Sequence, residues 1–309
     1  MQSGVPENCA PQSPADAGRL AHYLAAWQLS DPQVLAQTRT SQVYTVTHDG
    51  APAVLKLLAA HEREEQRGAL ALRHFDGRGA VRLLRADEGA QLLEYAAGDE
   101  LVTLVARGED EHATRIIAQV LRQLHGAPAD AAPAGLVPLE VWFAALFARA
   151  AADRQAGVAS IYVRGAAVAA ELLATPRDVC ALHGDIHHYN IRHSPRGWLA
   201  FDPKGLLGER TYDCANALCN PVLPDLVFDP ARLLRNASIL AESLDLELPR
   251  VLAFTFAYAC LNASWWSGLG DAAILQWSLD VAALVEPLLA PAATSSIHAP
   301  VNAPALQQE

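Results

Sequence analysis

The N-terminal part of the chain alternates apolar and polar residues with a period of two, as β-strands with one buried face do. The Asp49-Gly50 pair separates the first two alternating segments and favours a tight hairpin turn. Residues 61–75 repeat apolar side chains at spacings of three and four, as an amphipathic helix does, and residues 20–29 show a shorter helical repeat. The strands predicted from this pattern are residues 40–47, 53–58, 80–84 and 91–95. Together these elements make a small, sheet-rich lobe.

After Gly98 the repeat becomes that of helices and stays mostly helical to residue 289. One apolar stripe ends at His125-Gly126, a favourable C-terminal stop for a helix. Its members are Ile117, Val120, Leu121 and Leu124. The other segments predicted in this part are helices at residues 139–152 and 165–174, a loop at 128–138, and short strands at 179–182 and 198–201.

These patterns predict an α+β protein with two unequal lobes. The ends of the chain are rich in Ala, Pro and Ser and have too little apolar periodicity to pack. The predicted organisation is a flexible tail at 1–18, a β-rich N-lobe at 19–93, a hinge at 94–98, a mainly helical C-lobe at 99–290 and a second flexible tail at 291–309.

The composition is that of a soluble globular protein, with 51% hydrophobic and 18% charged residues in 309. The first residues lack the pattern of a secretory signal, and no apolar run approaches the ~20 residues that span a bilayer. Five cysteines without C-x-x-C spacing argue against a disulfide framework or a zinc ribbon, so we expect a reducing cytoplasm. The net charge of −11 disfavours a nucleic-acid partner and makes a cationic small molecule plausible. The oligomeric state stays open.

Three polar side chains indicate the chemistry. Asp185 and Asn190 are five residues apart, and Asp202 follows on an apolar strand. Phosphoryl transfer to a hydroxyl needs a carboxylate beside that hydroxyl, and an amide and a carboxylate that hold Mg²⁺. The H-R-D-x-x-x-x-N and D-F-G signatures of kinases have this order and spacing. We therefore predict that Asp185 is the catalytic base and that Asn190 and Asp202 bind the metal.

A lysine within a buried strand gives a second indication. An unpaired ammonium at Lys56 would be costly, so we expect it to bind nucleotide phosphates and a helix carboxylate. Glu65 is the favoured partner because it lies on the apolar face of the predicted helix. Glu64 and Glu62 are alternatives, and this acidic run could instead be a solvated helix start.

With these features, the chain resembles the aminoglycoside phosphotransferases of the protein-kinase-like fold over about residues 40–213. The motifs are Leu-His-Gly-Asp at 182–185 and Phe-Asp-Pro-Lys-Gly at 201–205. Residues 75–84 and 201–209 further resemble the streptomycin 6-kinase and hydroxyurea phosphotransferase branch. Tyr189 departs from the family pattern, in which Asp or Gly often precedes the metal-binding Asn, but the base and metal positions are intact.

The resemblance implies a bilobal protein-kinase-like fold, ATP and Mg²⁺ as cofactors, and resistance to an aminoglycoside by phosphorylation of a hydroxyl. The expected acceptor is the 6-hydroxyl of streptomycin. The resemblance also implies that Ser41 donates to a phosphate, in a segment that begins at Arg39. The carbonyl of Glu94 and the N–H of Ala96 would bind the adenine edge. The alternative acceptors are hydroxyurea and a housekeeping metabolite, and the rival of another class is a pseudokinase that binds nucleotide without turnover.

Other polar and aromatic residues have alternative interpretations. Among related kinases His183 is structural, and Asp213 is expected to brace the catalytic loop by accepting backbone hydrogen bonds. The rival for the four nearby histidines is a transition-metal site. Its members would be His183, His187, His188 and His193. The candidate acids for binding a cationic acceptor are Glu209, Asp225 and Asp271. Trp265 and Trp266 are expected in the core, with one of them a candidate for stacking on the acceptor.

Overall fold

The computed structural model of the chain describes residues 14–38, 40–59, 63–126, 132–269 and 271–289. Its N-terminal part is an antiparallel sheet of five strands in the order β1-β2-β3-β5-β4, with one helix before the sheet and one between β3 and β4. The strands are β1 Ser30–Gln37, β2 Ser41–His48, β3 Ala51–Leu58, β4 Leu83–Ala86 and β5 Ala90–Glu94. The helices are α1 Pro14–Trp27 and α2 Arg63–Phe75.

Strands β2, β3 and β5 form the centre of this sheet because their inward side chains alternate as predicted. Tyr44, Leu55 and Leu92 are buried in a small core that α1 covers with Tyr23 and Trp27. Helix α2 lies apart from that core. Its Leu72 and Phe75 are buried among side chains of the C-terminal part, so α2 joins the two lobes.

Several boundaries differ from the predicted ones. Helix α1 begins at Pro14, so residues 14–18 belong to a helix and not to the predicted tail. Strand β1 was not predicted because it is an edge strand with mostly exposed side chains, held by its pairing with β2. The strand expected at residues 80–84 lies at Leu83–Ala86, while Ala80 forms an isolated bridge with Ala200. Residues 1–13 and 290–309, which include most of both predicted tails, lie outside the described residues.

The C-terminal part is mainly helical. The helices are α3 Val102–Ala106, α4 Asp110–His125, α5 Leu139–Trp142, α6 Ala144–Gln155, α7 Ile161–Ala174, α8 Asp213–Leu218, α9 Pro224–Val227, α10 Pro230–Leu244, α11 Leu248–Trp266 and α12 Ala272–Val285, with 3₁₀ turns at Arg210–Tyr212 and Glu286–Leu288. Short strands form a sheet of β6 Val137–Pro138, β10 Leu206–Glu209 and β7 Val179–Leu182, and a hairpin of β8 Ile191–Ser194 and β9 Gly197–Ala200.

The packing of these helices follows their apolar patterns. All four members of the stripe predicted on α4 are buried, and α4 packs against α10. Helix α11 is apolar around its circumference and lies centrally, in contact with α7, α8 and α12. The single helix predicted at 139–152 is interrupted at Phe143, whose fully buried ring contacts Phe147 and Tyr212. No helix among the described residues is long and apolar enough to span a bilayer.

The β8–β9 hairpin holds the two lobes together beside the predicted hinge. The N–H of Val81 donates to the carbonyl of Ala200 at 2.9 Å, and the N–H of Gly98 donates to the carbonyl of His193 at 3.0 Å. Arg196, in the turn of the hairpin, pairs with Glu94 at the end of β5 at 2.5 Å. Ion pairs of Asp202 with Lys56 on β3 and of Lys204 with Glu64 on α2 bring the residues after β9 close to both elements. We call the space bordered by α2, β3 and the loop between β7 and β8 the cleft.

Candidate active site

Residues 183–190, the loop between β7 and β8, are held by one buried carboxylate. Asp213, at the start of α8, accepts hydrogen bonds from the N–H groups of His183 at 3.0 Å and Gly184 at 2.7 Å. His125 at the end of α4 also contacts Asp213, at 2.9 Å. Asp213 thus makes the backbone contacts expected of it, and these contacts fix the start of the loop.

His183 is a structural residue within the same loop. Its Nδ1 accepts from the N–H of Asp185 at 3.3 Å, which leaves the proton on Nε2 to donate to the carbonyl of Phe201 at 3.0 Å. Burial lowers the pKa of His183, so the ring is neutral. The side chain ties the loop that carries Asp185 to the residue before Asp202.

Asp185 projects from the loop into the cleft and has several polar neighbours. Its Oδ1 accepts from Asn216 Nδ2 at 2.7 Å, and its Oδ2 accepts from Asn190 Nδ2 at 3.3 Å. Lys204 Nζ lies 3.5 Å from Oδ2, and His187 Nε2 lies 3.7 Å from Oδ1. Burial raises the pKa of Asp185, but the charge of Lys204 and the other neighbours outweigh burial and lower it. Asp185 is therefore an oriented carboxylate at neutral pH, as a hydrogen-bond acceptor for a hydroxyl must be.

The ion pair predicted for Lys56 is present, and Glu65 is its partner. Lys56 Nζ contacts Glu65 Oε2 and Asp202 Oδ1, each at 2.6 Å. Glu65 also accepts from the hydroxyl of Thr40 at 2.9 Å. Burial lowers the pKa of Lys56, but the two carboxylates outweigh it and raise the pKa. Glu62 lies outside the described residues.

Asp202 follows β9 with a backbone φ of +63°, in the left-handed region that few non-glycine residues adopt. Burial raises its pKa, yet Lys56 and Lys204 together hold it well below the usual range. The side chain is therefore charged, and its conformation is fixed by the residues around it and not by local propensity.

Lys204 is a site residue that the sequence analysis did not identify. Its Nζ lies 3.1 Å from Glu64 Oε1, 3.5 Å from Asp185 Oδ2 and 3.6 Å from Asp202 Oδ2. The adjacent Glu64 and Glu65 thus pair with different lysines. The sequence did contain a signal, because Lys56 and Lys204 are the only lysines in a chain with 21 arginines. In the structure both lysines contact Asp202.

Two glycines allow α2 to pack directly on the Phe-Asp-Pro-Lys-Gly segment. A Cβ on Gly68 would lie 2.5 Å from the carbonyl oxygen of Pro203, and one on Gly205 would lie 2.4 Å from the carbonyl oxygen of Arg67. Gly205 also has a φ of +66°. This close approach brings the first turn of α2, with Glu64 and Glu65, to the residues that follow β9.

The residue types in the cleft fit a magnesium ion. Asn190 donates its amide N–H to the carbonyl of Asp185 at 3.0 Å, which leaves its Oδ1 as an acceptor, and Asp202 supplies a carboxylate. Amide and carboxylate oxygens, completed by phosphate oxygens and water, are ligands that Mg²⁺ prefers.

The histidine site does not form. Among the described residues, no group of three or more His, Cys, Asp or Glu side chains could hold a metal. His183 bonds to the backbone, and the His193 ring packs against Trp198. His187 and His188 are neutral because burial lowers their pKa values to about 4 and about 3.

The residues assigned to the nucleotide lie along the N-terminal side of the cleft. Ser41 begins β2, and its hydroxyl is 3.0 Å from that of Thr38, while Thr40 is the residue that contacts Glu65. Arg39 lies outside the described residues. Glu94 ends β5 with its side chain held by Arg196, and Ala96 is buried in the irregular segment that follows.

Glu209, one of the candidate acids for the acceptor, is not available. It is 2% exposed and pairs with Arg250 at 2.5 Å, so its charge is used within the C-lobe. Asp271 caps α12 by accepting from Ala273 and Ile274. Asp225 is exposed in the first turn of α9.

The two candidate tryptophans are partly buried at the end of α11. Trp265 packs edge-on against Trp142 with ring centroids 5.0 Å apart. Trp266 donates to Asn262 at 3.2 Å. Both rings are thus held by packing or hydrogen bonding within the helical lobe.

The family of the chain follows from its similarity to known proteins. The sequence profile of the "Aminoglycoside/hydroxyurea antibiotic resistance kinase" family matches residues 26–270. The chain belongs to this family. It is accordingly a phosphotransferase that uses an alcohol group as acceptor.

Two relatives of this kinase are similar over most of their length. A streptomycin 3''-kinase of Klebsiella pneumoniae is 39% identical over 262 residues, which cover 83% of this chain and 95% of that protein. A streptomycin 6-kinase of Streptomyces griseus is 33% identical over 278 residues, which cover 87% of this chain and 89% of that protein. The fold is also that of a thermostable mutant of the aminoglycoside phosphotransferase APH(4)-Ia, in a ternary complex with ADP and hygromycin B. That chain has a TM-score of 0.62 at 14% identity, with 86% of this chain and 97% of that one covered. The predicted protein-kinase-like α+β fold is confirmed.

Proposed function

We propose that this kinase transfers the γ-phosphoryl group of ATP to a hydroxyl of streptomycin and so inactivates the antibiotic. The observation that carries the proposal is the meeting of Asp185, Asn190, Asp202 and Lys56 in one cleft of a chain whose relatives include streptomycin kinases. The net charge of −11 supports a cationic acceptor, because streptomycin carries guanidinium groups.

The roles of the protein groups follow from what phosphoryl transfer requires. Asp185 accepts a hydrogen bond from the acceptor hydroxyl, orients its oxygen toward the γ-phosphorus and takes up its proton as the new O–P bond forms and ADP leaves. Lys56 binds the α- and β-phosphates and is itself held by Glu65. Asn190 and Asp202 hold Mg²⁺, which supplies charge neutralisation at the phosphates. The products are a phosphate ester and ADP.

The remaining assignments concern the nucleotide and the arrangement of the lobes. Residues 19–93 form the nucleotide-binding lobe and residues 99–290 the acceptor-binding lobe, joined at 94–98. Within this arrangement the Glu94 carbonyl and the Ala96 N–H meet the adenine edge, and Ser41 lies on the phosphate side. The position of Ser41 at the start of β2, beside the Thr40 contact to Glu65, supports that placement.

The hydroxyl that receives the phosphate is the finer part of the proposal. Sequence resemblance alone indicated the 6-hydroxyl. We favour the 3''-hydroxyl, because identity to the streptomycin 3''-kinase is 39% against 33% for the 6-kinase, with larger coverage of the relative. Hydroxyurea is the second candidate acceptor, since the family profile includes hydroxyurea kinases.

The site of action follows from the cosubstrate. ATP is plentiful in the cytoplasm, and we assign the enzyme to that compartment. The four described cysteines, all free and buried, support this assignment because they fit a reducing environment.

Mass spectrometry of the reaction products tests the proposal. The purified full chain is incubated with Mg·ATP and, in parallel, with streptomycin, other aminoglycosides, hydroxyurea and no acceptor. We expect one added phosphoryl group on streptomycin, placed at the 3''-hydroxyl by phosphorus–proton correlation in NMR. A product at the 6-hydroxyl would overturn only the regiochemistry. A product on hydroxyurea alone would overturn the acceptor, and nucleotide binding without any product would favour the pseudokinase.

A further inference from the structure

Lys204 is a largely buried lysine surrounded by carboxylates. Its side chain is 13% exposed and faces three carboxylates, those of Glu64, Asp185 and Asp202. Glu64 lies within hydrogen-bond distance at 3.1 Å, whereas the contacts to Asp185 and Asp202 are 3.5 and 3.6 Å, longer than an ordinary hydrogen bond. An ammonium has three N–H donors, so donor capacity remains for a further anion. Lys56 differs, because two carboxylates already contact its Nζ at 2.6 Å.

The position of Lys204 is fixed by the backbone. Its N–H donates to the carbonyl of His183 at 2.7 Å, which joins it to the loop that carries Asp185. On the other side, the close contacts of Gly68 and Gly205 press the segment against α2. The backbone of Lys204 is therefore held in place between the two lobes, and the contact with Glu64 orients its side chain.

The place of the transferred phosphoryl group follows from the roles proposed above. With the acceptor hydroxyl at Asp185 and the nucleotide phosphates beside Asp202, which would hold Mg²⁺, the γ-phosphorus would pass between these two carboxylates. Lys204 Nζ lies within 3.6 Å of an oxygen of each. No other lysine or arginine of the described residues forms an ion pair with Asp185.

We propose that Lys204 is a catalytic residue that contacts the γ-phosphate of bound nucleotide and neutralises the charge on the phosphoryl group during transfer. The inference rests on the kinase function proposed above but not on the identity of the acceptor. A fixed cation aimed at developing charge is the type of group that contributes most to phosphoryl transfer. Glu64 holds this cation in place when the γ-phosphate is absent.

The choice of lysine at position 204 supports this role. Of the 23 basic side chains in the chain, only Lys56 and Lys204 are not arginine. A lysine ammonium is a compact point charge, whereas a guanidinium is a wide planar fork that would reach several carboxylates at once. A compact ammonium suits a position 3.5 Å from Asp185 Oδ2 and 3.6 Å from Asp202 Oδ2.

The scarcity of lysine gives a direct test. Protein labelled with ¹³C at lysine Cε gives two side-chain signals, and Lys204→Arg identifies which belongs to Lys204. We expect Mg·AMP-PNP, which has a γ-phosphate, to move the Lys204 signal well beyond the shift that MgADP causes through its metal ion at Asp202. Equal shifts with the two nucleotides would overturn the inference. The Lys56 signal should move with both nucleotides. A Lys204 signal that Mg·AMP-PNP leaves unchanged, while the Lys56 signal moves, would overturn the inference.

Two variants complete the test by titration calorimetry and steady-state kinetics. Lys204→Met keeps the apolar stem and removes the charge. We expect its affinity for Mg·AMP-PNP to fall roughly tenfold with little change for MgADP, and turnover to fall about 10²- to 10³-fold. Glu64→Gln keeps the cation and should lose much less turnover. Equal losses of affinity for both nucleotides in Lys204→Met would show a structural role and contradict the proposal. If no acceptor is phosphorylated at all, the nucleotide measurements still decide the role of Lys204.

Discussion

Asn216 offers a sharp test of how the base is positioned. This side chain lies on α8, the helix that begins with Asp213. Its Nδ2 donates to Asp185 Oδ1 at 2.7 Å, and its Oδ1 accepts from Asn220 at 2.9 Å. It is 8% exposed, so water does not easily replace it. Without this donor, Asp185 Oδ1 keeps only the 3.7 Å contact to His187, so the carboxylate is held less firmly toward the acceptor hydroxyl.

The size of the effect can be worked out from the contact. A hydrogen bond to a charged group contributes about 1.5–3 kcal/mol. If about 2 kcal/mol of that is lost from the transition state in Asn216→Ala, turnover falls roughly 30-fold. Nucleotide affinity should stay within about twofold of that of the wild type, because neither contact of the Asn216 side chain, to Asp185 or to Asn220, involves a residue assigned to the nucleotide.

Steady-state ADP release with saturating Mg·ATP and streptomycin measures this loss. Asn220→Ala is the matched control, because it removes a half-buried amide one step farther from Asp185 and should lose much less turnover. Calorimetry with MgADP shows whether the nucleotide site of each variant is intact. Wild-type turnover in a folded Asn216→Ala variant would refute the reasoning, and equal losses in the two variants would show that the contact to Asp185 is not what matters.

Three other predictions follow from buried charge. Asp202→Ala should weaken Mg²⁺-dependent nucleotide binding in calorimetry, and unchanged Mg²⁺ dependence would remove Asp202 from the metal site. Burial lowers the pKa values of His187 and His188 to about 4 and about 3. As the pH falls, these two histidines are therefore protonated in the unfolded chain before they are protonated in the folded protein. The free energy of unfolding in urea should therefore fall as the pH drops below about 6.5, by up to about 1.4 kcal/mol per pH unit for each histidine. Equal stability at neutral and mildly acid pH would contradict this prediction. Arg232→Met should cost about 3–5 kcal/mol in urea unfolding, because it leaves the Asp110 carboxylate without its bidentate partner, and adding Asp110→Asn should restore part of the loss.

Local patterns in the sequence were sufficient to predict much of the fold and many of the residues that meet at the candidate site. The hairpin of β2 and β3 followed from alternation and an Asp-Gly turn, and the strand at Val179–Leu182 lies where it was expected. The spacing of Asp185, Asn190 and Asp202 depends on a loop and a short hairpin that are close in sequence. Such features are fixed by neighbouring residues, so a single sequence contains them.

Contacts between segments that are distant in sequence could not be predicted from local patterns. Lys204 meets Glu64 because two glycines let α2 approach the residues after β9, and Asn216 meets Asp185 across 31 positions of sequence. Glu209 looked available for a cationic acceptor but is neutralised by Arg250, which is 41 residues away. Edge strand β1 has no buried face and therefore no alternating pattern. In each case the information lies in packing and not in local spacing.

The proposed reaction depends above all on Asp185 as the base for phosphoryl transfer to streptomycin. The most direct measurement compares streptomycin-dependent ADP release by the wild type and by Asp185→Asn, with the MgADP affinity of both proteins measured alongside. We predict that streptomycin stimulates release by the wild type, and that the variant loses about 10²- to 10⁴-fold in turnover with MgADP affinity nearly unchanged. Comparable turnover in the variant, or release by the wild type that streptomycin does not stimulate, would contradict the account.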